Sequence, residues 1–146
     1  MFQLVRKVQM SNSATDFSGE MHEQALVRAF LLKSRQERCA FLLASPKRRC
    51  DFLKELAHFK WLEPAYCKSM LPASHHARDI AKILLSKGSG PTCWAVSEWG
   101  DLDGKELLLQ ETLQKIVGSG MGTFLSCVPG KLAYFEDEEE RWILER

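Results

Sequence analysis

The stretch "GTFLSCVPGKLAYFEDEEERWILER", residues 122–146, decides the fold. Its three apolar runs are separated by Pro129-Gly130 and by the acidic run at 136–140. Proline presets φ at the second position of a turn and glycine accepts positive φ at the third, so Pro129-Gly130 predicts a type II turn. The acidic run supplies the second bend. The whole stretch therefore predicts a three-stranded antiparallel meander.

Working back along the chain, "PTCWAVSEW" (91–99) predicts another strand, and the overlapping "SEWGDLDGKE" (97–106) gathers Glu98, Asp101, Asp103 and Glu106 beside Trp99. Such a set invites a metal or acid/base reading. A calcium loop needs glycine at its sixth position and a bidentate glutamate at its twelfth. Counted from Asp101, those positions hold Glu106 and Thr112, so the register fails. "LDGK" is instead a turn signal, because Gly104 tolerates positive φ and Asp103 can bond nearby backbone. Glu98 and Asp101 are left as the candidate acidic pair.

Helices are expected between the strands. Ser34 three before Glu37 is a capping box that opens a helix reaching Ala44, and Ser45-Pro46 opens a second running to about Phe59. Cys50, Phe52, Leu53, Leu56 and Ala57 fall on one arc of that second helix. Arg49 falls inside the same arc, so it must extend to solvent or meet an acid. Ser74 is placed to cap a third helix, "HHARDIAKILLSKG", and "LLQETLQKIVG" predicts a fourth, ended by Gly118. "ALVRAFLL" (25–32) is apolar on both alternating faces apart from Arg28 and leans toward a strand. The resulting class is α+β: a two-layer sandwich with about four helices on one face of a mostly antiparallel sheet, closed by the C-terminal meander. Residues 1–20 read as a leader or disordered tail, and 21–146 as a single globular domain.

Composition narrows the function classes. No apolar run approaches the roughly 20 residues needed to cross a bilayer as a helix, so no membrane partner is expected. The five cysteines, Cys39, Cys50, Cys67, Cys93 and Cys127, are odd in number and contain no CxxC, which predicts reduced thiols in a cytoplasmic protein. Cys67, in a loop flanked by prolines, is the candidate reactive thiol. "GSGMGT" (118–123) has the glycines of a phosphate loop but follows a helix C-terminus, whose carbonyls repel anions; it reads as helix termination and entry to a strand. His75 and His76 open the third helix, where the dipole favours neutral imidazole, and with Glu98 and Asp101 they form the candidate catalytic set. His58 and Cys67 could add zinc-type donors, but no standard zinc spacing is present, and neither a metal nor a cofactor is expected.

Net charge is +1, yet residues 1–90 carry 15 Lys/Arg against 8 Asp/Glu, a net of +7, and 91–146 carry 5 against 11, a net of −6. Folding can neutralise such a split internally, or it can attract a partner of opposite charge or a second copy. Arg35, Arg38, Lys47, Arg48 and Lys54 on the first two helices, and Glu138, Glu139 and Trp142 at the acidic bend, are the candidate partner-binding residues. A nucleic-acid surface on those helices is less favoured, because Asp51 and Glu55 dilute the basic face of the second. The reading that follows is a non-enzymatic cytoplasmic binding or regulatory domain acting through a protein partner or self-association. A small enzyme using the His/acid set is the alternative, and nucleic-acid binding a second one.

Overall fold

A computed structural model describes residues 18–70 and 76–146. The first helix, α1, covers residues 18–30, so residues 25–30 of the segment 25–32 expected to be a strand are helical. Gly19, Glu23, Leu26, Val27 and Phe30 form its buried stripe at helical spacing. Its first two members are a glycine and a glutamate, so the helical period was invisible in an apolar pattern that starts at Ala25.

Helix α2 (Lys33–Ala44) starts with Leu32 at its N-cap and no side-chain cap, so the expected capping box is not formed. Gln36 instead donates to the carbonyls of Leu31 (3.1 Å) and Arg28 (3.2 Å), satisfying the end of α1. Helix α3 (Arg49–Leu53) is much shorter than the helix expected there and passes into a 3-10 turn, Leu56–His58. The chain leaves helical geometry at Phe59, whose ring packs among Phe52, Phe124 and Phe135 at centroid distances of 5.7, 5.4 and 5.9 Å. That aromatic cluster outweighs continued helix. A second 3-10 turn, Pro64–Tyr66, leads into the two-residue strand β1 (Cys67–Lys68).

Next come α4 (Ala77–Ser86), β2 (Thr92–Ser97), β3 (Lys105–Leu108), α5 (Leu109–Ile116), β4 (Thr123–Val128), β5 (Leu132–Glu136) and β6 (Arg141–Glu145). The strands form one sheet in the order β1-β6-β5-β4-β2-β3, with every pairing antiparallel. The C-terminal meander is present as β4, β5 and β6. Its first turn bonds Lys131 N–H to the Val128 carbonyl at 3.0 Å, with Gly130 at φ 72°. In the second, the Asp137 carboxylate accepts from Glu139 and Glu140 N–H, each at 2.8 Å.

The α+β class and the antiparallel sheet are as expected, but the helices divide between the two faces of the sheet. Trp94, Val96, Phe124, Ala133, Phe135 and Leu144 meet α1, α2 and α3 on one face. Cys93, Ala95, Leu125, Cys127, Tyr134 and Ile143 meet α4 and α5 on the other. Strands buried on both faces need apolar or small residues at every position, as in "FLSCV" and "LAYF". This is the physical reason for three layers where two were expected. Among the described residues no helix is long and apolar enough to cross a membrane.

Candidate functional site

The hairpin β2–β3 resolves the acidic stretch at 97–106. The loop folds back as a turn, with Gly104 at φ 68° and its N–H on the Ala95 carbonyl at 2.8 Å. Glu98 accepts from Gly122 N–H at 2.7 Å, which ties the end of β2 to the entry of β4. Asp101 is exposed, and its carbonyl accepts from Lys105 Nζ at 2.8 Å. Glu106 accepts from Thr92 Oγ1 at 3.1 Å. The Glu98 and Glu106 carboxylates are thus engaged with separate backbone and side-chain partners, and Asp101 takes part only through its backbone carbonyl.

Asp103 belongs to a buried ionic hub. Arg49 donates through Nε and Nη2 to Asp103 (2.8 and 3.0 Å), through Nη1 and Nη2 to Glu23 (2.8 and 2.6 Å), and through Nη1 to the Leu43 carbonyl (3.3 Å). Every N–H of the guanidinium is used. Burial opposes the Arg49 charge, but the hydrogen bonds and charges of Glu23 and Asp103 outweigh it and raise its pKa above the ordinary value. Glu23 also accepts from Trp94 Nε1 at 2.8 Å, and Asp103 from Ser97 N–H at 3.0 Å. The hub joins α1, α3, the end of α2 and the β2–β3 turn. Arg49 has therefore met acids, as its place in an apolar arc required, and it serves as a structural clamp.

Beside the hub, His22 Nδ1 lies 2.7 Å from Ser126 Oγ, and its ring stacks on Trp94 at 6.4 Å with an interplanar angle of 13°. Burial lowers the His22 pKa, with Glu106 and Glu23 opposing. A serine bonded to a neutral imidazole has the elements of a nucleophile and base. Ser126 is only 1% exposed, however, so no substrate reaches its oxygen. The pair ties α1 to β4.

Of the residues proposed for catalysis, His75 lies outside the described residues, as does Ser74, the expected cap of α4. His76 is the N-cap residue of that helix, exposed and without a side-chain cap bond. No hydrogen bond or ion pair among the described residues joins His76 to Glu98 or Asp101. No group of three metal-capable His, Cys, Asp or Glu side chains occurs among them either. In the "GSGMGT" loop, Gly118 N–H is taken by Glu136 at 2.9 Å, and the glycine conformations at 118 and 120 (φ 84° and 76°) turn the chain from α5 toward β4.

An open groove of about 370 Å³ that gathers predicted residues lies beside β1 and the second bend of the meander. His58, Phe59, Lys60, Leu62, Pro64 and Cys67 form one wall, and Asp137, Glu139, Glu140 and Trp142 the other. The Trp142 indole N–H donates to Glu140 at 3.2 Å. His58 stands 3.8 Å from Glu138 and 3.9 Å from Glu139 at an exposed rim. Such walls offer an aromatic and apolar floor under a carboxylate edge, suited to a cationic side chain with an apolar stem. They do not suit a nucleophilic cysteine. Burial pushes the Cys67 thiol up to about 11, Glu140 and Glu63 adding to the effect, so the electropositive setting expected of a reactive thiol is missing.

The basic residues are partly occupied. Asp51 pairs with Arg48 at 3.7 Å and Lys54 at 3.3 Å, the Arg35 guanidinium lies 5.1 Å from the Trp61 ring centre, and that of Arg38 5.9 Å from Phe41. Lys47 is exposed. The groove walls at Phe59 and Leu62, and the carboxylate of Glu23, were missed in the sequence, because nothing local distinguishes them from core and surface residues. No protein-family model, curated protein sequence or solved structure matches the chain.

Proposed function

We propose that this chain is a non-enzymatic cytoplasmic binding or regulatory domain, and that the groove beside Trp142 is where it meets a basic segment of a protein. The observation that carries this reading is the pairing of an open aromatic floor with Glu139 and Glu140 on one wall. Other acids near the sheet, Glu98, Asp103 and Glu136, are each engaged by backbone or side-chain donors inside the fold. The odd count of five widely spaced cysteines without a CxxC supports a reducing compartment.

The test is a titration with short peptides of matched length carrying lysine and arginine, or glutamate, or neither, followed by tryptophan fluorescence and calorimetry. Basic peptides should bind, more weakly as salt rises from about 50 to about 500 mM. Glu139→Lys combined with Glu140→Lys should abolish the binding while the circular dichroism spectrum is unchanged. Equal binding of all three peptide classes, or binding unaffected by the substitutions, refutes the reading.

A further inference from the structure

Helix α2 carries a feature with no role inside the chain. Phe41 is 55% exposed, the Arg38 guanidinium lies over its ring at 5.9 Å, and Arg35 is exposed one turn earlier. An exposed aromatic flanked by arginines forms a basic, apolar knob of the composition enriched in interface centres. The groove is its chemical complement: Leu62, Pro64 and Trp142 supply the apolar contact, and Glu139 and Glu140 outnumber the single lysine of the lining, Lys60, in charge. At the groove's rim His58 approaches Glu138 and Glu139 no closer than 3.8 Å, beyond hydrogen-bond range, so those carboxylates keep acceptor positions for an incoming guanidinium.

The N-terminal half of α2 reaches the groove wall. Arg35 of α2 covers Trp61, Trp61 meets Phe59 edge-on at 5.6 Å, and Phe59 is in the groove wall. A two-fold axis can exchange two complementary patches of one chain, each knob entering the other copy's groove, and that contact closes on itself. The same two-signed character runs through the whole chain, net +7 over 1–90 and −6 over 91–146.

From these observations we infer that the occupant of the groove is a second copy of this chain, with Phe41 and Arg38 of one protomer seated between Trp142 and Glu139 of its partner in a reciprocal dimer. The inference rests on the groove being a site for basic protein segments, as proposed above.

Light scattering and sedimentation of the full chain test it. Wild type should form a dimer with a dissociation constant of about 1–100 µM, at least about tenfold weaker at about 500 mM salt than at about 50 mM. Arg38→Glu and Glu139→Lys should each weaken association at least about tenfold. An equimolar mixture of the two should recover a dimer, because one charge-reversed contact faces the other and the second contact is intact. Phe41→Ser should weaken association while the salt dependence stays. Circular dichroism of each variant checks that the fold is kept, and Arg38, Phe41 and Glu139 are all exposed. A wild-type monomer at all concentrations, or an Arg38→Glu variant that dimerises like wild type, overturns the inference. If the monomer still binds basic peptides, the second copy is rejected and the groove reading stands. If it binds none, both fall.

Discussion

Removing the Arg49 guanidinium should leave two carboxylates facing each other inside the protein. The side chains of Glu23 and Asp103 are 8% and 13% exposed, and that of Arg49 is 21% exposed. Deleting one partner of a buried ion pair costs about 3–5 kcal/mol, because the remaining charge is stranded. Some solvent reaches Arg49, which places Arg49→Met near the lower end, about 3 kcal/mol. That equals a fall of about 6–12 °C in Tm for a chain of this size. Arg49→Lys keeps the charge but loses the planar fork that holds both carboxylates at once, and should cost about 1–2 kcal/mol. The assay is urea unfolding followed by tryptophan fluorescence, since buried Trp94 donates to Glu23 and reports on the hub. Combining Arg49→Met with Glu23→Gln and Asp103→Asn should recover most of the loss, as the amide oxygens can still accept from Trp94 and Ser97 and no charge is left buried. The reasoning is refuted if Arg49→Met costs less than about 1 kcal/mol, or if its cost is the same with and without the two carboxylates, which would mean zero coupling.

Three further outcomes are expected. A Cβ at Gly122 would overlap the Leu56 backbone, which cannot rotate away, so Gly122→Ala should lose about 2 kcal/mol or more, whereas Gly90→Ala, with open space around it, should be near neutral in the same unfolding assay. Because the folded state holds His22 below its ordinary pKa, the unfolded chain binds more protons there; stability is therefore full above about pH 6.5 and declines as pH falls below it. Unfolding free energies measured between about pH 7 and about pH 5.5 should slope less steeply in His22→Gln than in wild type. Among the thiols, Cys50 is exposed while burial raises Cys67 and Cys39 to about 11, so a disulfide reagent near neutral pH should modify Cys50 at once and the others at least about tenfold more slowly until denaturant is added.

Where local chemistry decides structure, the amino-acid order was enough to read it. Pro129-Gly130 and Asp103-Gly104 form turns because a ring-constrained φ and a missing Cβ act on their own backbone, whatever surrounds them. The glycine loop at 118–122 was legible for the same reason. Arg49 could be recognised as a charge that needed a partner, since its place in an apolar arc follows from helix geometry alone. Its partners could not. Glu23 and Asp103 lie 26 and 54 residues away in the chain, and only the packing of α1 and the β2–β3 turn against α3 brings them together.

The same boundary divides the fold from the groove. Sequence by itself determined the α+β class, the antiparallel meander and its bends, because alternation and turn residues act over a few positions. Tertiary structure alone decided that helices cover both faces of the sheet, that residues 25–30 are helical, and that α3 stops short of Phe59. In each case burial against distant residues outweighs local preference. It also decided how the acids are used: Glu98, Asp103 and Glu136 are bonded by donors from other elements inside the fold, while Glu139 and Glu140, the latter accepting from Trp142, stand at an open wall. A carboxylate's availability depends on what the fold sets against it, and that is a property of three-dimensional neighbours.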